Sequence, residues 1–330
     1  MAEREIVVIT GASAGVGRAT VRQFARRGAC IGLVARGLDG LEGARQDVEQ
    51  LGGRALVLPC DVSDARAVDE AAARVEREFG PIDVWVNDAM VSVFSPFLEM
   101  EPEEFERVVR VTFLGYVNGT RAALRRMAPR NRGHIVQVSS ALAFRSIPLQ
   151  SAYCACKHAI VGFTESVRTE LLHEGIDVTL SMVHLPAVNT PQFSWTRSRL
   201  PREPQPVPPI YDPAVPARAI YWAAHHRRRD VAVGWPTLRA MFAEKIAPRL
   251  ADHVAARQGW DGQMTDEPAR PGRRDDLFAP VPGDHRSRGT FGDRSIKRSL
   301  QSWANLHRSW IAGALALVGA GSYAAARRGA

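Results

Sequence analysis

The chain has 330 residues, a formal net charge of +8 at pH 7 and 45% hydrophobic residues. This length fits one large α/β domain or two small ones, and the hydrophobic content is sufficient for a sizeable core. The 4 cysteines form no C-x-x-C pair. We interpret them as reduced, mostly buried residues of a cytoplasmic protein, and we expect no metal site. No recognition motif accompanies the basic charge, so we expect no nucleic-acid partner.

The first element is a strand that leads into a glycine-rich turn. Residues 6–9 form a continuous apolar run, as in a strand buried on both faces. The turn at 10–18 follows, with Gly11, Gly15 and Gly17, and then a helical pattern begins. Glycines let the backbone approach a diphosphate, and a helix N-terminus offers free N–H groups. A plain tight turn would look similar, but the position at the first strand–helix junction favours a nucleotide site.

The second strand, 30–35, ends at Arg36 with no acidic residue at its tip. In such folds this tip lies beside the adenosine ribose, where an acid accepts a hydrogen bond from the 2′-hydroxyl and an arginine suits a 2′-phosphate. We therefore predict NADP(H) as the cofactor, preferred over NAD(H). The alternative is a solvated arginine after a strand.

Strands and helices then alternate along the chain, which predicts a Rossmann-type doubly wound parallel sheet of about seven strands flanked by helices. The further strands are predicted at 55–59, 82–86, 133–138, 178–183 and 231–234, and the helices at 38–51, 64–79, 102–127, 151–173, 213–226 and 235–258.

Tyr153 and Lys157 stand four residues apart in a predicted helix, so both side chains lie on one face. A nearby cation lowers the pKa of a tyrosine toward a useful range for proton transfer. Ser140, at the end of a strand, then holds the substrate oxygen while Tyr153 moves the proton. The Y-x-x-x-K spacing alone is weak, and it gains its weight from the motifs before it.

With Thr10–Gly17, Asp61, Asn87, Ser140, Tyr153 and Lys157 in this order, residues 4–235 resemble the short-chain dehydrogenase/reductase family. The resemblance implies an NAD(P)-dependent oxidoreductase acting on CH–OH groups, usually a homodimer or homotetramer. Ser140, Tyr153 and Lys157 then carry catalysis, with Tyr153 as the acid/base. The implied cofactor-binding residues are Gly11, Ser13, Gly15, Val16, Gly17, Arg36, Asp61, Val62, Asn87, Ala89, Tyr153, Lys157, Pro186, Val188 and Thr190.

Two departures from the family pattern bear on activity. Met90 stands where the family has glycine, and Thr112 stands where it has the asparagine that holds a relay water. We expect the Thr112 hydroxyl to take over that catalytic role. The alternative that these departures motivate is a non-catalytic NADP(H)-binding protein that acts through its C-terminal tail.

Residues 190–216 are rich in proline and contain several aromatic and apolar residues. A long irregular segment beside a cleft is usually a functional lid. Its composition predicts a small lipophilic substrate, a carbonyl or secondary alcohol. Packing against a neighbouring subunit is the alternative explanation.

The composition changes after the predicted catalytic domain, residues 1–258. Residues 259–295 have the composition of a flexible linker. Residues 296–330 begin as a basic amphipathic helix and continue into 310–326, which carry no charge. Two interpretations stay open: this hydrophobic helical tail associates with a membrane, or it packs on the enzyme. We favour the first, so that the expected cytoplasmic protein is membrane-associated through its tail.

Overall fold

The computed structural model of the protein describes residues 4–308. The strands within this range are β1 (Ile6–Thr10), β2 (Cys30–Ala35), β3 (Arg54–Pro59), β4 (Val84–Asn87), β5 (Val93–Phe94), β6 (Gly133–Ser140), β7 (Val178–Leu185), β8 (Arg197–Ser198), β9 (Arg202–Pro204), β10 (Ile210–Tyr211), β11 (Asp230–Ala232), β12 (Met264–Pro268) and β13 (Ser295–Ile296). The α-helices are α1 (Gly15–Ala25), α2 (Leu38–Gln50), α3 (Ala65–Phe79), α4 (Pro102–Val109), α5 (Gly115–Met127), α6 (Ser151–His173), α7 (Ala214–Ala223), α8 (Trp235–Ile246), α9 (Pro248–Val254) and α10 (Leu300–Leu306).

Seven strands form one parallel sheet in the order β3-β2-β1-β4-β6-β7-β11. The apolar runs of β1, β2, β4, β6 and β7 are buried on both faces, because helices cover both sides of the sheet, whereas the edge strand β3 is partly exposed. In β1, Val7 and Ile9 pack into one hydrophobic cluster with Phe24 of α1, and Val8 packs into the other with Trp85 of β4. The predicted doubly wound parallel sheet is confirmed.

The carboxyl ends of the central strands meet at one edge of the sheet. There β1 leads into the glycine-rich turn, β6 ends at Ser140, and β7 is followed by Pro186. The order reverses between β1 and β4, which is the switch point where open parallel sheets bind ligands. This edge therefore carries the candidate site.

The helix predicted over 235–258 is interrupted in the structure. Helix α8 ends at Ile246 and α9 begins at Pro248, with Ala247 between them in a non-helical conformation (φ −145°, ψ 63°). The ring of Pro248 removes one N–H donor and disfavours helical geometry at the residue before it. The amphipathic helix predicted from 296 also starts later, because Ser295–Ile296 form β13 and the Ser299 side chain caps α10.

The segment 259–295, which its composition predicts to be a flexible linker, lies against the sheet domain. Its strand β12 pairs with β9, and Leu277 is fully buried in the core cluster below the sheet edge. We call residues 275–289 the strap. Within residues 4–308, no helix is both long and apolar enough to cross a membrane. The uncharged stretch 310–326 lies outside the described residues.

Candidate active site

The glycine-rich turn forms a cradle that side chains would fill. Gly11 (φ 72°) and Gly15 (φ 58°) both adopt left-handed backbone angles that favour glycine. A Cβ at Gly17 would lie 2.1 Å from the Gly11 carbonyl oxygen. The Thr10 hydroxyl accepts hydrogen bonds from the backbone N–H groups of Asp88 (3.0 Å) and Ala89 (3.2 Å), which ties the turn to the end of β4. The cradle fits the diphosphate of a dinucleotide.

A first cavity extends from this turn toward β2 and β3. Asp61 accepts hydrogen bonds from the Ser63 N–H (2.9 Å) and from the Arg107 guanidinium (2.5 Å). Burial works to raise the pKa of Asp61, but the Arg107 and Ser63 hydrogen bonds outweigh it and leave this pKa lowered. The carboxylate therefore stays ionised and able to accept hydrogen bonds, as suits the cofactor-binding role that the resemblance implies for it.

Arg36 lies in the wall of this first cavity, at the tip of β2. Its guanidinium donates to the backbone carbonyl of Leu277 (3.2 Å) and to that of Asp276. The side chain predicted to hold a 2′-phosphate is therefore engaged by the strap in this structure.

A second cavity adjoins the first at the glycine-rich turn and holds the predicted catalytic residues. Ser140 ends β6, and its hydroxyl accepts a hydrogen bond from the Leu142 N–H (3.1 Å). Tyr153 lies in the first turn of α6, and Lys157 lies one turn later. All three side chains line this cavity. The structure thus brings together residues that are separated along the chain.

Lys157 is held by two acceptors at the floor of the second cavity. Its Nζ donates to the Val138 carbonyl (2.8 Å) and to the hydroxyl of Tyr116 (3.1 Å). The Tyr116 hydroxyl in turn donates to Val138 (2.8 Å). The lysine side chain is 2% exposed, so these contacts fix it almost completely. Sequence reasoning missed Tyr116, whose only signal was its position four residues after Thr112.

The predicted lowering of the Tyr153 pKa does not occur in this structure. Burial raises the pKa of the Tyr153 phenol, and a hydrogen bond with Ser140 opposes that rise only in part. The Lys157 Nζ lies over the Tyr153 ring, 5.5 Å from its centroid. Tyr153 is therefore neutral near pH 7, which is the form that can donate a proton.

Asp88 supplies a charge partner for Lys157 that sequence reasoning also missed. Burial lowers the pKa of Lys157 and raises that of Asp88, while the attraction between the two charges opposes both shifts. A hydrogen bond from the Gly17 N–H further stabilises the carboxylate. The signal in the sequence is an acid that directly follows Asn87, a residue that the resemblance assigns to the cofactor site.

Two residues predicted for the site are engaged elsewhere. The Thr112 hydroxyl donates to the Val91 carbonyl (2.8 Å) and accepts from the Val91 N–H (3.0 Å). The Asn87 amide donates to Gln137 (2.8 Å), and its oxygen accepts from Trp85 (2.8 Å). Both side chains are fully buried.

The other predicted residues divide between the two cavities. Gly11, Ser13, Arg36, Asp61, Val62 and Ala89 line the first, and Gly11, Ser13, Gly15, Val16, Ser140, Tyr153, Lys157, Pro186, Val188 and Thr190 line the second, whereas Gly17, Asn87 and Thr112 line neither.

Comparisons with known proteins agree with this geometry. A family model for short chain dehydrogenases matches residues 5–199. The uncharacterized oxidoreductase YxnA of Bacillus subtilis (strain 168) is 31% identical over 326 residues, covering 98% of this chain and 91% of that protein. The uncharacterized oxidoreductase Rv1543 of Mycobacterium tuberculosis (strain ATCC 25618 / H37Rv) is 31% identical over 265 residues, covering 77% of this chain and 73% of that protein.

A solved structure is similar as well. The alcohol dehydrogenase from the archaeon Thermococcus sibiricus, complexed with 5-hydroxy-NADP, superposes with a TM-score of 0.60 at 28% identity, covering 70% of this chain and 96% of that one. With the glycine cradle, the parallel sheet and the family match in agreement, the chain belongs to the short-chain dehydrogenase/reductase family and is an NAD(P)-dependent oxidoreductase.

Proposed function

We propose that the protein transfers hydride between NADP(H) and a lipophilic carbonyl or secondary alcohol, with Tyr153 as the acid/base. The observation that carries this proposal is the convergence of Ser140, Tyr153 and Lys157 in a cavity that adjoins the glycine cradle. When bound, the nicotinamide supplies or accepts the hydride.

The protein's own residues handle the substrate oxygen and its proton. In the reductive direction, the neutral Tyr153 phenol donates its proton to the oxygen as the substrate carbon accepts hydride. Ser140 hydrogen-bonds the same oxygen and orients it. Lys157, held by Val138 and Tyr116, stabilises the phenolate that remains after the transfer.

The remaining wall of the second cavity supports a lipophilic substrate. It is largely apolar, and its members come from the loop after β4, from the segment after β6 and from residues 190–216: Met90, Leu142, Ile147, Phe193, Val207 and Pro208. Such a lining favours apolar groups around a few polar atoms.

The preference for NADP(H) is supported by Arg36 at the tip of β2 and by the absence of an acid there. The related Thermococcus sibiricus enzyme is described in complex with an NADP derivative. In this proposal the Arg36 guanidinium exchanges its strap carbonyls for the 2′-phosphate.

The test is NADPH and NADH oxidation by purified full-length protein with a panel of lipophilic ketones and aldehydes. Tyr153→Phe is the control, and we expect it to lower kcat by roughly 10²–10⁴-fold while NADPH still binds. Turnover that survives in Tyr153→Phe would refute the assigned acid/base. A lower KM for NADH than for NADPH would refute the cofactor preference. NADPH binding without turnover of any substrate would favour the non-catalytic alternative.

A further inference from the structure

The strap crosses the whole cofactor cleft from its adenosine end to its nicotinamide end. Its first residues lie beside Arg36, whose guanidinium donates hydrogen bonds to the backbone carbonyls of residues 276 and 277. It then passes α2, where the Gly283 N–H donates to Asp39 (2.8 Å), and α1, where Arg18 donates to Asp284 (3.2 Å). It ends beyond β7, where the Gly289 N–H donates to the Asn189 carbonyl (3.2 Å). The strap therefore covers the face through which a dinucleotide reaches the cradle.

Two of these contacts use donors that a bound cofactor needs. The Gly15 N–H, at the start of α1, donates to the Arg286 carbonyl (3.1 Å). The Arg36 guanidinium donates to the strap carbonyls described above. Free N–H groups at this helix start and an arginine at this strand tip are the elements that hold phosphates. In the closed strap, backbone carbonyl oxygens thus accept the hydrogen bonds that phosphate oxygens of a bound cofactor would accept.

The strap also places an acid inside the cleft. Asp276 lines both cavities, and its Oδ1 is buried with no hydrogen-bond partner among residues 4–308. Burial raises the pKa of this carboxyl to about 7, while the positive charge of Arg36 opposes the rise. The buried site therefore favours the neutral carboxyl, and ionisation of Asp276 destabilises the closed strap.

The strap has a single buried apolar anchor. Leu277 is fully buried, but no other strap residue belongs to the buried core. Residues 278–289 contain no helix or strand and are held by polar contacts to Asp39, Arg18, Gly15 and Asn189, by the Arg288–Asp212 ion pair (2.7 Å) and by the contact of His285 with Trp195. Segments with few buried apolar contacts open at low free energy. Residues 278–289 are therefore able to leave the glycine cradle at low free energy, whereas release of Arg36 also requires Leu277 to leave its buried site.

We propose that the strap is an autoinhibitory cover of the dinucleotide site. Its closed form and a bound cofactor compete for Arg36 and for the Gly15 N–H, so the strap has to release before NADP(H) seats in the cradle. The proposal rests on the proposed function, in which these two residues hold the cofactor.

A reversible covalent lock tests the competition. A Cβ at Gly37 would lie 3.3 Å from the Cβ of Pro280 on the strap, close to the separation of roughly 3.5–4.5 Å in disulfides. Gly37 has φ −83°, so a cysteine fits its backbone. In the full-length double variant Gly37→Cys/Pro280→Cys, stopped-flow fluorescence would report NADPH binding before and after reduction, and thiol titration would report disulfide formation.

In the oxidised double variant we expect the association rate and the affinity for NADPH to fall by about tenfold or more, because the disulfide removes the open state that binds the cofactor. Reduction of the disulfide should restore both. The single variants Gly37→Cys and Pro280→Cys control for the changed side chains and should not respond to reductant. Wild-type binding by the oxidised double variant would overturn the proposal.

A substitution that weakens the attachment of the strap should have the opposite effect on NADPH binding. Asp284→Asn removes the charge that pairs with Arg18, and we expect NADPH to bind several-fold faster and tighter. Asp266→Asn is the matched control, since Asp266 is fully exposed outside the strap and 3.9 Å from Arg202. Unchanged or weaker binding by Asp284→Asn would contradict autoinhibition.

Binding and turnover separate this proposal from the proposed function. In one outcome the wild-type protein binds NADPH, both strap variants change that binding as expected, and no substrate in the panel is reduced. This outcome supports the autoinhibitory strap and contradicts the proposed substrate class. In the other outcome turnover depends on Tyr153, but NADPH binding is the same in the wild type, in the oxidised double-cysteine variant and in Asp284→Asn. This outcome supports the proposed function and contradicts autoinhibition by the strap.

Discussion

The two ends of the cofactor cleft are built in different ways. The catalytic end depends on β6 and α6, regular elements whose side chains Ser140, Tyr153 and Lys157 converge through short-range geometry. The adenosine end is completed by the strap, an irregular segment that returns from far along the chain to meet Arg36. The first end is rigid and readable from residue spacing, and the second depends on contacts between distant segments.

The largest effect we expect lies at the catalytic end. Lys157→Met replaces a buried lysine with an uncharged side chain of similar size. It should lower kcat by roughly 10²–10⁴-fold, because the phenolate formed at Tyr153 loses its neighbouring cation. Lys245→Met, on an exposed turn of α8, is the matched control and should leave kcat unchanged. Steady-state kinetics with saturating NADPH would measure both. If the two variants lost activity equally, the role of the Lys157 charge would be disproved.

The next prediction compares stability at a sheet core position with stability at the strap anchor. Leu33 in β2 and Leu277 in the strap are both fully buried. We expect Leu33→Ala to lower the free energy of unfolding by about 2–5 kcal/mol. Leu277→Ala should lower it by less than about 1 kcal/mol, because the strap opens locally instead.

Urea unfolding measures the two losses, and limited proteolysis detects the open strap. Cleavage within 275–289 should increase in Leu277→Ala and not in Leu33→Ala under native conditions. Equal losses of unfolding free energy would mean that the strap unfolds together with the sheet, and the contrast between the two regions would disappear.

A smaller effect is a pH dependence that only the strap confers. The pKa of Asp276 is raised from 3.8 to about 7 by burial, with Arg36 lowering it and Asp275 raising it. A raised carboxyl pKa stabilises the closed strap below the unperturbed pKa, and this stabilisation is lost as pH rises through the raised value. NADPH association should therefore accelerate from about pH 4 to about pH 7 and then level off. In Asp276→Asn this acceleration should be absent. A pH profile identical to that of the wild type would contradict the role of Asp276 in the pH dependence of NADPH association.

The smallest effect concerns the second partner of Lys157. Tyr116→Phe removes one acceptor of the lysine and leaves the Val138 carbonyl, so we expect kcat to fall several-fold with little change in KM. A loss as large as that of Lys157→Met would show that Tyr116 itself takes part in proton transfer.

Periodicity and apolar runs predicted most of the sheet, because a strand buried on both faces needs a continuous apolar sequence wherever it lies. Val7 and Val8 illustrate this, since they face opposite clusters of the core. The break before Pro248 was also readable from the sequence, since a proline restricts the residue that precedes it. Helix-forming residues on both sides hid that signal.

The site was harder to predict where a side chain has two competing partners. The resemblance assigned Asn87 and Thr112 to the site, yet Gln137 and Val91 engage them in the structure. The composition of residues 259–295, which include the strap, predicts a linker because it lacks apolar periodicity. The attachment of the strap depends on a single buried leucine, on backbone carbonyls and on contacts between distant charged residues such as Arg18 and Asp284, and none of these leaves a periodic pattern in the sequence.

The position of the strap in the chain has a consequence for biosynthesis. Ribosomes add roughly 5–20 residues per second, and domains generally fold as units during synthesis, N-terminal parts first. The sheet through β11 is complete at Ala232, whereas the strap begins only at Asp275. For a few seconds the nascent protein therefore presents an uncovered dinucleotide cleft. A cofactor taken up in that interval meets no competing carbonyls, so newly made molecules should load more readily than mature ones.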